Sequence, residues 1–145
     1  MISEFKGKYS FLSNFYPIDL RIGDRVWKSV EHYYQAMKCV PFEYQEYIRS
    51  LETPAEAKRD GKLACLREDW EYIKETVMWR ALKVKFSNIF LRRRLLETEG
   101  RMLIEGNFWH DTYWGRCGCK RCKGEGENRL GILLMKLREE IRRGQ

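Results

Sequence analysis

Glu31, Gln35 and Lys38 place a carboxylate, an amide and an amine at helical spacing within the stretch S-V-E-H-Y-Y-Q-A-M-K, residues 29–38. At 100° per residue they share one narrow stripe, with Val30, Tyr33 and Met37 forming an apolar stripe beside it. Ser29 is a suitable N-cap, and an acid in the first turn followed by a base further on agrees with the helix dipole. A carboxylate and an amine about 10 Å apart along the axis can both reach a ligand lying between them. Two readings are open: a solvated face with weak side-chain pairing, or the floor of a pocket. The crowd of Trp27, His32, Tyr33 and Tyr34 favours the pocket, because a face that meets only water has no use for so many rings.

A second chemically rich stretch is N-F-W-H-D-T-Y-W-G at 107–115, followed by R-C-G-C-K-R-C-K-G-E-G-E-N at 116–128. Asp111, flanked by Trp109, Tyr113 and Trp114, is either a carboxylate tuned by an aromatic setting for acid/base work or a turn aspartate capping its own backbone. Gly115, Gly118, Gly124 and Gly126 make the loop compliant and let backbone amides approach phosphate oxygens. Cys117, Cys119 and Cys122 offer three thiols to a metal such as zinc, but C-x-C-x-x-C lacks a fourth ligand. His110, Cys39 and Cys65 are candidates that spacing does not support. Inert or redox-sensitive thiols are the other reading. Ser13 and Asn14 sit among the aromatics of Y-S-F-L-S-N-F-Y-P, residues that read as core while these two polar groups stay available for binding.

The elements that must position these groups follow from periodicity and punctuation. Ile18, Leu20 and Ile22 alternate with polar residues, Gly23-Asp24 signals a two-residue turn, and Arg25-Val26-Trp27 leads back, giving a hairpin that feeds the helix at 29–38. A second helix is expected over 41–51. Thr53-Pro54-Ala55-Glu56 supplies a capping box for a third that stops at Gly61. Trp70, Ile73, Val77, Ala81 and Val84 mark the core face of a helix over 68–86. A short helix over 89–96 carries Arg92, Arg93 and Arg94 on a solvated face. Met102 to Ile104 could be a strand, and a last helix over 130–142 buries Leu130, Leu133, Leu134, Leu137 and Ile141. The 145 residues are long enough for one domain with a real core. No apolar run approaches membrane-spanning length, and the first residues lack a signal-peptide core, so a cytoplasmic protein is expected. Five cysteines, an odd number, then argue for reduced thiols. The net charge of +7 favours an anionic partner, a phosphate-bearing small molecule or a nucleic acid.

Taken together, F-L-S-N-F-Y-P, S-V-E-H-Y-Y-Q-A-M-K, L-R-E-D-W, M-W-R-A-L-K-V-K-F, D-T-Y-W-G and G-E-N-R-L-G-I-L-L-M-K-L-R closely resemble the NADAR superfamily, also called YbiA-like or DUF1768 proteins. Six blocks in order, from Phe11 to Arg138, make the match specific. It implies a compact α+β domain, mainly helical with a small antiparallel sheet, that hydrolyses the N-glycosidic bond between ribose and a base or amine. Such enzymes are of two kinds: hydrolases of early riboflavin-pathway intermediates, and hydrolases that remove ADP-ribose from guanine in nucleic acid, sometimes as antitoxins to a DNA-modifying toxin. The resemblance makes Glu31 and Lys38 the leading catalytic pair, with Asp111 next, and favours a covalent lysine route. A carboxylate can stabilise positive charge at the sugar C1 or protonate the leaving base, and a neutral lysine can form a Schiff base at C1.

It further implies substrate contacts from Ser13, Asn14 and Phe15 along sugar and phosphate, and from Ser29, His32, Tyr33 and Gln35 in the central block. Trp70 or Trp114 would stack on a ring, Arg67 would meet a phosphate, Asn128 and Gly131 would present amides to the same anion, and Gly115 would be a further substrate contact. Core packing, a buried ion pair and a plain N-cap are the corresponding structural roles of Trp70, Arg67 and Asn128. No cofactor is required by the chemistry, and a structural zinc remains an option for the cysteines. From Thr112 to Gly131, Arg116, Lys120, Arg121, Lys123 and Arg129 outnumber Glu125 and Glu127 by three, which tilts the expected substrate toward guanine-linked ADP-ribose in DNA. A non-catalytic ADP-ribose or NAD module is the alternative from another class. Retention of Glu31, Lys38 and Asp111 together argues for catalysis.

Overall fold

The computed structural model describes residues 1–144. Its elements are a 3₁₀ helix (Gly7–Leu12), strands β1 (Leu20–Ile22) and β2 (Arg25–Trp27), helices α1 (Val30–Ala36), α2 (Phe42–Ser50), α3 (Pro54–Gly61), α4 (Trp70–Lys85) and α5 (Ile89–Leu96), strands β3 (Gly106–Asn107) and β4 (Arg116–Cys117), and helix α6 (Arg129–Arg143). The fold is α+β, mainly helical with a small antiparallel sheet, as expected. Two compact units are present, residues 14–87 and residues 1–13 with 88 onward.

In the 14–87 unit the hairpin pairs Leu20 with Trp27, Arg21 with Val26 and Ile22 with Arg25. Gly23 takes the positive φ of +65° that the two-residue turn requires. Leu20, Ile22 and Trp27 are buried and Arg21 is exposed, the alternation of a strand with one wet face. Helix α1 departs from the two-stripe expectation, because all seven of its residues are buried, with α2, α3 and α4 packed around it. It also stops at Ala36, so Lys38 lies in the turn beyond it rather than on a helical stripe with Glu31. The Lys38 carbonyl accepts from the Arg67 amide at 2.8 Å, the Cys39 thiol donates to the Cys65 carbonyl at 2.8 Å, and Pro41 disfavours helix at Val40. The Thr53–Glu56 capping box forms as expected. Helix α4 buries Met78, Ala81 and Leu82 fully. It starts at Trp70 rather than Glu68, where the Asp69 carboxylate is engaged by Arg67 and caps nothing.

In the other unit the expected strand at 102–104 reduces to one parallel bridge between Ile2 and Leu103, closed by Ile2 N–H to Met102 and Ile104 N–H to Ile2. The basic run on α5 is only partly solvated. Arg92 and Arg93 are exposed, while Arg94 lies over Phe11 at 4.2 Å and donates to the Lys8 carbonyl at 2.6 Å. Helix α6 buries Leu130, Leu133, Leu134 and Leu137, with Ile141 half-buried near its end. The short parallel pair β3–β4, with Gly106 opposite Arg116, has no counterpart in the periodicity. Among the described residues no helix is long and apolar enough to cross a membrane.

Candidate active site

Glu31 is buried in the first turn of α1, its amide donating to the Asn14 carbonyl at 3.1 Å. One carboxylate oxygen accepts from Gln35 Nε2 at 3.3 Å, the i,i+4 pairing that helical spacing allows. Gln35 can lie there because the neighbouring residue is Gly61, where any Cβ would overlap the Gln35 amide. Gln35 Oε1 and Asn14 Oδ1 are buried with no hydrogen-bond partner among the described residues. Buried acceptors of this kind are rare and suit the hydroxyls of a sugar. Asn14, Glu31 and Gln35 are thereby joined in one polar group.

Lys38 is half-buried, its ammonium 5.7 Å from the centre of the Tyr34 ring, which in turn tilts against Trp70 at 5.1 Å. Burial lowers its pKa, the negative charge of Glu31 opposes this, and the net direction is down. The competition between aromatic walls and carboxylate, which residue types alone leave open, goes to burial. A lysine so placed reaches its neutral, nucleophilic form at lower pH than a solvated one. Trp70 is buried against Tyr34. Arg67 holds the Asp69 carboxylate at 2.6 and 3.3 Å. Tyr33 packs edge-on to Trp27 at 5.4 Å, and Phe15 is exposed with the Lys58 ammonium 5.9 Å from its ring centre.

Ser29 and His32 fasten the start of α1. The His32 Nε2 faces the Leu51 carbonyl at 2.9 Å, so it carries the proton, and Nδ1 accepts from the Ser29 hydroxyl at 2.7 Å when the ring is neutral. The same hydroxyl accepts from the His32 amide as the N-cap. His32 is fully buried, and burial holds its pKa below the ordinary histidine value. Below that ordinary value the unfolded chain binds more protons than the folded one, so stability falls as pH drops into this window, at most by about 1.4 kcal/mol per pH unit from one group. His32→Gln is expected to flatten that part of the stability profile, as chemical denaturation at a series of pH values would measure.

The remaining candidates belong to the other unit. Ser13 closes the 3₁₀ helix, its amide bonded to Ser10. The Asp111 carboxylate accepts from the amides of Tyr113 at 3.1 Å and Trp114 at 2.9 Å, which is the turn-capping role. Trp114 stands edge-on to Tyr113 at 4.9 Å. Gly115 is buried where a Cβ would overlap Glu105 and Asn107. Asn128, at φ +53°, accepts from the Glu105 amide and donates to the Leu103 carbonyl, both at 2.9 Å, and Gly131 faces the same carbonyl.

Two residues stand out that the sequence reading left aside. Asn107 is buried and organises the loop, donating to the Asp111 carbonyl and Glu105 and accepting from the amides of Trp109 and Asp111. Its signal was an asparagine at the head of a dense turn sequence. Lys85 is fully buried between Tyr16 and Phe86, its pKa pushed down to about 7 by burial. Nothing in the K-V-K-F stretch marks which lysine turns inward. The ligand atoms of His110, Cys117, Cys119 and Cys122 lie within 4.8 Å of one another, a group that could hold a metal ion. His110 is the fourth member that spacing did not support, while Cys39 and Cys65 lie in the 14–87 unit.

Residues 3–142 match the family described as the NADAR domain. The chain is 40% identical to N-glycosidase YbiA of Escherichia coli K12 over 136 residues, covering 92% of this chain and 82% of that protein. It is 39% identical to N-glycosidase Npun_R5314 of Nostoc punctiforme, covering 92% and 86%. It is also 39% identical to the chloroplastic riboflavin biosynthesis protein PYRR of Zea mays, covering 92% of this chain and 23% of that longer protein. The NMR structure of E. coli YbiA superposes with a TM-score of 0.81 at 36% identity, over 98% of this chain and 87% of that one.

Proposed function

This chain belongs to the NADAR family and with it to the hydrolases of N-glycosidic bonds, and we propose that it removes ADP-ribose from guanine in DNA and nucleotides with Lys38 as the nucleophile. The observation that carries the reading is the half-buried Lys38, lowered in pKa against Tyr34 and within the field of Glu31. With the ribose ring opened, C1 is joined to the guanine nitrogen as an imine. The neutral Lys38 nitrogen adds to C1, and the C1–N bond to guanine then breaks. That electron pair leaves with guanine, which takes from Glu31 the proton that the Lys38 ammonium passed to this carboxylate on becoming neutral. The resulting lysine imine is hydrated by a water that gives its proton back to Glu31, and loss of the C1–lysine bond frees the ribose aldehyde. The balance is one water consumed, guanine and ADP-ribose released. The unpaired oxygens of Asn14 and Gln35 would accept sugar hydroxyls beside this pair.

Lys120, Arg121 and Lys123 are exposed and support a substrate with a nucleic-acid backbone. A second reading, hydrolysis of ribosylamino-pyrimidine phosphates, is favoured by the name of the maize relative. Salt separates them. Three phosphate contacts on a single strand imply about a 20-fold fall in kcat/KM on modified DNA between 50 and 200 mM salt. ADP-ribosyl-guanosine should show a shallower slope, and alanine at Lys120, Arg121 and Lys123 should erase the difference. Equal slopes, or a strong preference for the pyrimidine phosphates, would move the assignment to the second reading. Binding without release on every substrate would leave a non-catalytic ADP-ribose module.

A further inference from the structure

We propose that His110, Cys117, Cys119 and Cys122 bind one structural zinc ion that locks the 107–126 loop. The three thiols lie 3.7, 3.4 and 3.5 Å from His110 Nδ1, in the order Cys117, Cys119, Cys122, and all four atoms fall within 4.8 Å of one another. A tetrahedral zinc with Zn–S near 2.3 Å and Zn–N near 2.0–2.1 Å requires N···S edges of about 3.6 Å and S···S edges of about 3.8 Å. The N···S edges already match, and the S···S edges, none longer than 4.8 Å, need close by no more than about 1 Å around such an ion.

The backbone delivers them by separate means. Cys117 lies in β4, its amide donating to Glu125 at 3.0 Å and its carbonyl accepting from Gly124 at 2.7 Å. The Lys123 amide donates to the Cys119 carbonyl at 2.8 Å, closing a turn that carries Cys119 and Cys122, and Lys123 and Gly124, at φ +55° and +82°, return the chain to Glu125 opposite Cys117. The Cys122 amide donates to the Cys119 sulfur at 3.3 Å, which orients that sulfur within the turn. His110 is held at φ +70°, a conformation few non-glycine residues adopt, with Asn107 Oδ1 accepting from the amides on both sides of it. A left-handed histidine with its Nδ1 within 3.7 Å of three sulfurs is an arrangement that a metal ion would reward.

Three thiolates and an imidazole select a borderline-soft tetrahedral ion over magnesium or calcium. Four protein ligands close the shell and leave no position for water or substrate, which makes the site structural. A disulfide would consume only two of the thiols and give the imidazole no role. Zinc bound here fixes the segment that carries Asp111 and Trp114, whichever substrate the enzyme takes.

The test uses the whole chain, purified without a metal-affinity tag under reducing, anaerobic conditions. Elemental analysis and native mass spectrometry are expected to find one zinc per chain. Cobalt exchange should give the intense visible bands of a tetrahedral site together with a thiolate charge-transfer band. His110→Ala and Cys122→Ser should lose stoichiometric zinc and alter the cobalt spectrum, whereas Cys65→Ser should keep both. Should either variant fail to fold, chelation of the unaltered protein must lower its Tm, with recovery on adding zinc and none on adding magnesium. Absence of zinc after reduction and loading, a cobalt spectrum unchanged in His110→Ala, or a native Cys119–Cys122 disulfide would overturn the proposal.

Discussion

Replacing Lys38 by alanine or methionine is expected to lower kcat by roughly 10³-fold or more, the scale on which removal of a covalent nucleophile acts. Borohydride added during turnover should fix a ribose adduct on the unaltered enzyme, and peptide mapping should place it on Lys38 rather than on the buried Lys85. The pH dependence follows from the environment of the amine. Burial lowers its pKa and Glu31 pulls it partly back, so trapping should rise with pH to a midpoint below the ordinary lysine value of 10.5. Glu31→Gln removes the opposing charge and should shift that midpoint further down, while the hydration step slows for want of its base. The same shift fixes the sign of the stability effect. The unfolded chain binds more protons than the folded one between the two pKa values, so stability rises with pH across that window. Lys38→Met should remove this slope and be no less stable at neutral pH. A Lys38→Met enzyme of near-normal rate would take lysine out of the mechanism.

The parts of the molecule that were legible in the sequence are those set by local chemistry. The Thr53–Glu56 capping box, the Gly23–Asp24 turn and the leucine face of α6 each rest on residues within one or two turns of one another. What escaped depends on partners far along the chain. The end of α1 at Ala36 is set by Arg67 and Cys65, some 30 positions on, which capture Lys38 and Cys39. The two stripes of α1 are legible, but that α2, α3 and α4 bury the polar stripe as well as the apolar one is not, because Glu31, His32 and Gln35 read as a wet face until their partners are known. The strand expected at 102–104 finds only Ile2 to pair with. Glu31 and Gln35 stand one turn apart on α1 as their spacing indicates, whereas Lys38 was marked by its residue type and not by helical spacing, since it lies past the end of the helix. The reason Gln35 can hold Glu31 lies in the missing side chain of Gly61, which no helical pattern announces. His110 joins the cysteines through a left-handed backbone that spacing rules do not anticipate.

Asn128→Ala is expected to cost about 3–5 kcal/mol of folding stability, a large part of the roughly 5–15 kcal/mol a domain possesses. Asn128 is buried, and its two 2.9 Å bonds satisfy the Glu105 amide and the Leu103 carbonyl. Alanine removes the Asn128 partner of the part-buried Glu105 amide and of the buried Leu103 carbonyl, at about 1–3 kcal/mol each, and must also sit at φ +53°, where a Cβ is strained. Asn128→Gly relieves the strain and keeps only the hydrogen-bond loss, so it should be less damaging than alanine by about 1 kcal/mol. Asn128→Asp keeps an acceptor for Glu105 but sets a carboxylate oxygen against the Leu103 carbonyl, and should fall with alanine rather than with wild type. Denaturant unfolding of the three variants measures this order. The two roles open to Asn128 separate cleanly: a clamp between the 103–105 segment and the start of α6 loses stability first and activity as a consequence, whereas an anion ligand loses affinity in a protein of unchanged midpoint. An Asn128→Ala variant with wild-type unfolding and a raised KM would therefore assign the residue to the substrate.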